Sequence, residues 1–395
     1  MTPDAKTLYP TSTEEASAML ADAAARGLTI LPRGGGSRLN WGNPVTACDL
    51  IVDTTRMDQV IEHVAGDLVV RVQAGARMGD IAAALAKAGQ EIALDVPDDA
   101  TAGGVIASGL TGPRRLRYGS PRDLLIGVTI VRADGTVARS GGKVVKNVAG
   151  YDLGKLFAGS AGTLGLITEA TFRLHPLPGA RSYVTASYPS SADAARAVAD
   201  ASGSALTASA VELHRGPAPD GPVQVGALLE GSQAGVGSRA ADMVALLGSD
   251  ASASPETPGW WLARKRVPDG GTLIGVTFWV SALESVLGTI AGQAREFSLT
   301  PVVNGSAGAG IVHVGLGPSA DPEVAARFTG ALRARLSHTR GGVGVLTAPE
   351  PVRAALGDHG GMTGTVPSLR LMKAVRDQFD PEHRMSPGRL FGQEA

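Results

Sequence analysis

The sequence predicts an α+β chain built as two lobes, and three observations carry that reading. At 395 residues the chain is longer than one hydrophobic core ordinarily serves. Runs of β-branched residues alternate with alanine-rich helical stretches, a pattern that fits α+β and, in its first third, leaves α/β open. Pro176, Pro178 and Gly179 then punctuate the chain between two differently composed regions. The expected organisation is a first domain over 1–178, a second over 179–366 and a C-terminal segment over 367–395.

The elements follow in order. Ser12-Thr-Glu-Glu15 is a capping box that opens a helix running to Arg26, and Gly27 stops it. Leu28 to Leu31 reads as a short buried strand that runs into the loop Pro32-Arg33-Gly34-Gly35-Gly36-Ser37. Leu50 to Val52 and Leu68 to Val72 are strand-like, and Gly79 to Ala88 is helical in period up to Gly89. From Ala100 to Gly119 the periodicity gives way to turns. Leu124 to Arg132, Asp134-Gly135 and Val137-Ala138 read as a hairpin, and Thr163 to Leu174 as a strand ending at the prolines. Beyond them, helices over Ala192 to Ala201 and Pro322 to Leu336 alternate with strands, and a helix from Leu369 to Phe379 ends at Asp380-Pro381. The apolar run Leu273 to Ala294 is long enough to raise a membrane span. Its first part is β-rich and Ser281-Ala-Leu-Glu284 is a capping box, so a strand followed by a helix explains it better.

Composition excludes several functions. Hydrophobic residues make up 44% and charged residues 18%, a globular balance. The net charge is −1, from 36 basic and 37 acidic residues, which lacks the positive field that nucleic-acid binding requires. A single cysteine, Cys48, cannot ligate an iron–sulfur cluster and reads as a small core residue. The N-terminus has neither the basic start nor the apolar run of a signal peptide, so the expected location is the cytoplasm. Glycine stands out: 53 residues, about 13% against a usual ~7%.

The glycines gather in four clusters. Arg33 to Arg38 offers consecutive backbone N–H groups and two arginines, a combination that suits a phosphate; many glycine triplets are only loops. Thr101-Ala-Gly103-Gly104-Val-Ile-Ala-Ser108-Gly109 mixes glycine with hydroxyls and otherwise reads as a packed bend. Gly141-Gly142-Lys143-Val-Val-Lys146-Asn147-Val-Ala-Gly150-Tyr151-Asp152 carries two lysines, an amide and a phenol, or is a solvated turn. Gly159-Ser-Ala-Gly162-Thr163-Leu-Gly165-Leu-Ile167-Thr168-Glu169 approaches a strand.

In this order the four segments resemble the FAD domain of the vanillyl-alcohol oxidase type of flavoproteins. Asn40-Trp-Gly-Asn43, Gly112-Pro-Arg-Arg-Leu-Arg117-Tyr118-Gly119, the lysine-bearing segment 141–152 and Arg384-Met-Ser-Pro-Gly-Arg389 resemble its branch of bacterial glycolate oxidase FAD-binding subunits. The resemblance covers 8–177 well and 369–391 moderately. It implies a two-lobed FAD-binding domain over 1–178, a smaller α+β cap domain of substrate type over 179–366, and a tail, 367–395, that returns to the FAD domain. It also implies that Arg33, Gly34, Gly35, Gly36, Ser37 and Arg38, with Thr101, Gly103, Gly104, Ser108 and Gly109, hold the pyrophosphate. Arg117 and Tyr118 would also contact the cofactor, and Lys143, Lys146, Asn147 and Tyr151 would lie by the flavin, where a lysine stabilises charge developing at N1 and O2. Gly162, Thr163, Gly165, Ile167 and Thr168 would lie nearer the adenosine. No histidine or cysteine stands at 33–38 or 103–119, so the FAD is expected to be non-covalent.

The resemblance implies an FAD-dependent oxidoreductase acting on CH–OH groups. One reading is a relay subunit in a multi-subunit glycolate or D-lactate dehydrogenase. Its partners would be a catalytic flavoprotein subunit and an iron–sulfur subunit, and it would touch the inner face of the membrane only peripherally, through the complex. The alternative is an autonomous dehydrogenase passing hydride from a small 2-hydroxy acid to flavin N5, with Arg33, Arg117 or Lys146 pairing with the carboxylate. The catalytic members of this superfamily carry a histidine-rich metal motif; here only His313 stands near, without an acidic neighbour, and no metal site is expected. His313 is the candidate base, against a structural role in an alternating strand; His383 is a weaker one. Gly315-Leu-Gly317-Pro-Ser-Ala320 formally matches a dinucleotide turn but lacks the acid expected about 20 residues on.

Overall fold

The computed structural model describes residues 5–142, 152–261, 270–339, 341–359, 361–364, 366 and 368–390. It divides into two compact units: Met1–Gly112, Tyr118–Leu177 and Pro367–Ala395 form the first, and Pro113–Arg117 with Pro178–Val366 the second.

The first unit has two main sheets. In the smaller, β1 (Lys6–Leu8), β2 (Ile30–Arg33) and β3 (Leu50–Asp53) run parallel in the order β1-β3-β2. The tail adds to its edge: Ile30 N–H donates to the Arg384 carbonyl and Ser386 N–H to the Ile30 carbonyl, both at 2.8 Å. The helix Thr13–Ala25 buries Ala16, Leu20 and Ala23 against Ile30, Leu50 and Val52. It is capped by the Ser12 hydroxyl, which accepts from Glu15 N–H at 3.1 Å, while the Glu15 carboxylate reaches Thr11.

The larger sheet is antiparallel in the order β4-β5-β9-β7-β8, with β4 (Val60–Val64), β5 (Val69–Gln73), β7 (Leu125–Val131), β8 (Val137–Gly141) and β9 (Leu166–Arg173). A two-stranded ladder joins β6 (Gln90–Glu91) to β10 (His175–Pro176). Alternate residues Val70, Val72, Val128, Ile130, Ala170 and Phe172 pack with the helices Met78–Ala86 and Ala102–Ser108 into one core.

The second unit is built on an eight-stranded antiparallel sheet of β11 (Ala180–Tyr188), β12 (Ala210–Arg215), β13 (Val223–Gly231), β14 (Ser252–Ser254), β15 (Thr272–Thr277), β16 (Val302–Gly305), β17 (Ile311–Leu316) and β18 (Gly342–Thr347). Their order is β14-β11-β13-β12-β16-β17-β15-β18. Helices Ser191–Gly203, Gln233–Leu247, Leu283–Glu296 and Pro322–Leu336 cover one face, where Val211, Leu213, Val225, Val312 and Val314 meet Leu287, Ile290 and Phe328. Because β17 is antiparallel to both neighbours, the turn after it lacks the parallel crossover a dinucleotide turn needs.

Three expectations are corrected. The strand expected over Leu28 to Leu31 is shifted to Ile30–Arg33, because pairing with Leu50–Asp53 carries the ladder through Pro32 and Arg33. The stretch expected as turns contains the helix Ala102–Ser108, since Thr101 caps it and two glycines on its flank permit close packing. The capping box expected at Ser281 is absent: Val280–Ala282 forms a 3-10 turn, and the helix begins at Leu283 without a side-chain cap.

Candidate functional site

The glycine loop leaves the end of β2, and its backbone is unfilled. Among the described residues, the N–H groups of Gly34, Gly35, Gly36, Ser37 and Arg38 donate to no protein acceptor. Such a run of free donors is a nest for an anion. Gly36 sits at φ +76°, in the left-handed region where a side chain is strained.

The loop is locked against the second glycine cluster. A Cβ at Gly34 would stand 2.1 Å from Thr101 Oγ1, and one at Gly35 would stand 3.0 Å from the Asp99 carbonyl oxygen. The Thr101 hydroxyl also accepts from Gly104 N–H at 3.3 Å, capping the helix. That helix sits equally close to the residue that follows β5: Gly103 N–H donates to the Ala74 carbonyl at 2.8 Å, and a Cβ there would meet Ala74 Cβ at 2.8 Å. The donors at 102–105 all have protein acceptors, so the open N–H groups lie in the loop and not at the start of this helix.

The fourth cluster is fastened to the far end of the same helix. Gly159 N–H donates to Ile106 and Ala161 N–H to Ala107, at 2.9 and 2.8 Å. Gly109, at φ +64°, lies 3.4 Å by its would-be Cβ from Gly159 Cα, and the Ser108 hydroxyl donates to the Gly104 carbonyl at 2.7 Å. Gly162, at φ +77°, packs on Pro32 and Ser386, each 3.3 Å from its would-be Cβ. Thus 34–38, 101–109 and 159–163 converge. The buried hydroxyls of Ser160 and Ser386 and the Nε of Arg38 have no hydrogen-bond partner among the described residues. Arg38 lies over the Trp41 ring, Cζ 4.0 Å from its centroid, and burial pulls its pKa down against the opposing field of Asp99.

Other expected residues are engaged elsewhere. Arg33 Nε donates to Asp53 Oδ2 at 2.7 Å, and Asp53 also accepts from Thr55 N–H at 2.9 Å, so this guanidinium braces the loop's base. Arg117 lies with the second unit, where it donates to the Thr207 carbonyl at 3.5 Å and Leu116 packs on the core. The Tyr118 ring sits 4.8 Å from that of His175. Thr163 donates to Ser160, and Gly165, at φ +148°, has the Val131 carbonyl 2.9 Å from its would-be Cβ. Ile167 is in the core, and the fully buried Thr168 hydroxyl bonds Thr13 and the Thr129 carbonyl. Lys143, Lys146, Asn147 and Tyr151 lie outside the described residues. His313 is in mid-β17, paired with Asn304 and Gly275. His383, at φ +54°, bonds Asp377 at 2.8 Å.

Two contributors to the cradle were not among the expected site residues. Arg389 Nη1 lies 2.8, 3.0 and 3.1 Å from the carbonyls of Leu39, Trp41 and Asn43, tying the tail across the glycine loop. A Cβ on Gly75 would stand 1.8 Å from the Thr54 carbonyl oxygen, so the chain just beyond β5 passes Thr54 only as glycine. The signal for Arg389 was present, in the tail motif Ser386-Pro-Gly-Arg389. For Gly75 it was one glycine between alanines.

Among the described residues no cluster of histidine, cysteine or acids could hold a metal ion, and no helix is long and apolar enough to cross a membrane.

Residues 5–141 match the family model described as FAD binding domain. The chain is 38% identical over 204 residues to the glycolate oxidase subunit GlcD of Bacillus subtilis, covering 50% of this chain and 42% of that protein. It is 40% identical over 154 residues to the glycolate oxidase subunit GlcE of Escherichia coli, 38% of this chain and 43% of that one. To the mitochondrial cytochrome D-lactate dehydrogenase 1 of Saccharomyces cerevisiae it is 35% identical over 209 residues, 52% and 36%. The matched stretch spans less than half the length of each of these relatives. Among solved structures, an alkyldihydroxyacetonephosphate synthase superposes at TM-score 0.71 with 17% identity, over 97% of this chain and 77% of that one. A chitooligosaccharide oxidase superposes at 0.68 with 16% identity, over 98% and 92%. The likeness to solved structures shows the fold, a two-unit α+β architecture shared with these proteins, and the family model places an FAD-binding domain in its first part.

Proposed function

We propose that this chain, whose first unit carries an FAD-binding domain, is an FAD-dependent oxidoreductase of small 2-hydroxy acids that works as one flavin subunit of a larger complex. The observation that supports it most is the run of five N–H donors at Gly34 to Arg38 that have no protein acceptor among the described residues, held in place by the Thr101 segment. The residues present fit FAD: a nest suited to a pyrophosphate, with three buried polar atoms, on Arg38, Ser160 and Ser386, that lack partners among the described residues.

In this reading the loop N–H groups and Arg38 bind the pyrophosphate, and Asp53 holds Arg33 so that the loop keeps its shape. The hydroxyls of Ser160 and Ser386 orient the cofactor, with Gly162 keeping that wall free of a side chain. Lys143, Lys146, Asn147 and Tyr151 are assigned to the flavin on resemblance alone. Bound FAD supplies a two-electron acceptor for the hydride of an alcohol carbon. With no histidine or cysteine at 33–38 or 103–119, the chain holds FAD without a covalent tether.

The names of the bacterial relatives, glycolate oxidase subunits, support membership of a complex; in this reading the chain relays electrons from a catalytic flavoprotein towards an iron–sulfur subunit. The single cysteine puts any cluster on another chain. A second reading, in which the chain takes the 2-hydroxy acid itself with His313 as the base, is favoured by the polar side chains around His313 on the second unit's sheet. Anaerobic addition of glycolate or D-lactate to the flavin-loaded chain separates the two. Bleaching of the flavin supports turnover by this chain, and bleaching only after partner subunits are added supports the relay. No bleaching in either case sinks 2-hydroxy-acid oxidation. Lys146→Met is expected to weaken FAD binding, and unchanged binding would count against assigning that segment to the flavin.

A further inference from the structure

Away from the glycine cradle, one group of polar side chains lines up across four strands. It lies on the face of the second unit's sheet turned away from the four helices. Strand register sets Gln224, His214, Asn304 and His313 in one row across β13, β12, β16 and β17. Their neighbours along each strand, Val225, Leu213, Val303 and Val312, point into the helix-covered core, so alternation turns the row to the other face. The row continues to Gly275, beside which Leu346 stands 3.5 Å from the would-be Cβ. At its other side the Trp260 ring stacks on His214, centroids 6.0 Å apart and planes 19° from parallel.

Asn304 is only 8% exposed, and its Oδ1 has no hydrogen-bond partner among the described residues; the same holds for the buried Nδ1 of His214. Leaving buried polar atoms unfilled destabilises a fold, and native structures seldom do so without a reason. Two such atoms occur here on paired residues of adjacent strands. Their chemistry limits what fills them. An amide oxygen accepts and does not donate, and Nδ1 of a neutral imidazole accepts when the proton is on Nε2. Burial favours the neutral form of His214 by lowering its pKa. Asn304 Oδ1 therefore calls for a donor, and His214 Nδ1 for an acceptor when it carries the proton instead, a complementary pair that one hydroxyl fills. Glu212, two residues before His214 on the same face, is the nearest acid along the strand, and His313 flanks Asn304 on the other side. Two strand spacings separate the Cα atoms of His214 and His313 by about 10 Å, which suits an occupant of two or three carbons lying over Asn304.

We propose that His214 and Asn304 form a hydroxyl-recognising subsite for a small hydroxy acid, whose alcohol O–H donates to Asn304 Oδ1 while its oxygen accepts from His214 Nδ1–H, between the apolar walls of Trp260 and Leu346. The proposal rests on the reading of the chain as an oxidoreductase of 2-hydroxy acids and deepens it by giving this chain its own contact with the substrate hydroxyl.

The test is calorimetric titration of the full chain with glycolate against acetate and with D-lactate against propionate, pairs that differ by the hydroxyl alone. The wild-type chain is expected to bind each hydroxy acid about tenfold or more tighter than its deoxy partner. Asn304→Leu and His214→Phe, chosen for similar volume, are expected to reduce that preference to about twofold or less. His214→Gln keeps a side-chain N–H donor and is expected to retain most of it. Equal binding of the paired acids, binding of neither, or an intact preference in a folded Asn304→Leu chain overturns the subsite. If neither volume-matched variant folds, His214→Gln decides: loss of the preference there overturns the hydrogen-bonding role of His214. The flavin band of the same samples separates the two levels. A flavin-bearing chain without the preference overturns this subsite alone, whereas a chain with the preference but no flavin overturns the FAD reading and leaves the subsite standing.

Discussion

Replacing Gly34 with alanine tests whether the glycine loop and the Thr101 segment form one interlocked cradle. The new Cβ would stand 2.1 Å from Thr101 Oγ1 and 3.3 Å from Thr101 Cβ, so the loop or the threonine must move. Overpacking of this kind costs about 1–3 kcal/mol, and displacing the Thr101 hydroxyl from Gly104 N–H removes a helix cap worth about 1 kcal/mol. Gly34 is not at positive φ, so the backbone itself tolerates a side chain and the clash is the whole effect. Thr101→Ala loses the cap but clears the space. The double variant should therefore be more stable than the two single losses predict, by about 0.5–3 kcal/mol of coupling. Thermal unfolding reads this at about 2–4 °C per kcal/mol for a unit of this size, and FAD titration reads the nest directly. Gly34→Ala is expected to melt lower and bind FAD at least tenfold more weakly, with partial recovery of both in the double variant. An unchanged melt and affinity in Gly34→Ala, or strictly additive losses, would refute the interlock.

Further outcomes are expected. Arg389→Ala strips three carbonyls of the loop's flank of their shared donor and should cost about 2–4 kcal/mol and lower FAD affinity; Arg389→Lys should not restore it, since an ammonium cannot replace the guanidinium fork. Full FAD affinity in Arg389→Ala would sink that role. Asp53→Ala unpairs Arg33 and frees Thr55 N–H, and should destabilise by about 1–3 kcal/mol in denaturant titration; a change within experimental error would contradict the bracing of the loop's base. Burial lowers the His214 pKa, so the unfolded chain takes up that proton first. This contribution is fully present above the ordinary histidine value of about 6.5 and is lost as pH falls through it towards the lowered one. The denaturant midpoint should accordingly fall less on acidification in His214→Phe than in the wild-type chain, and equal slopes would refute the assignment.

Much of this was legible in the sequence, and particular residues show why. The helix Pro322–Leu336 has an aspartate cap, a proline in its first turn and a regular apolar stripe, and local signals of that kind suffice. The hairpin at Asp134-Gly135 was readable for the same reason. The helix Ala102–Ser108 was not, because its glycines look like turn residues until Ala74 is seen packed against Gly103. Arg33 reads as a phosphate ligand until Asp53, 20 residues away, arrives beside it through strand pairing. The row of Gln224, His214, Asn304 and His313 is assembled by register across four strands, and His313 read alone looks like an isolated residue in a strand.

Retention of FAD by the chain is the decisive property. The purified chain, reconstituted with FAD, desalted and then denatured, should show a flavin band that stays with the protein through desalting and is released into solution on denaturation. A chain that carries no flavin band even after FAD is added would contradict the account, and flavin that remained attached to the denatured chain would contradict its non-covalent part.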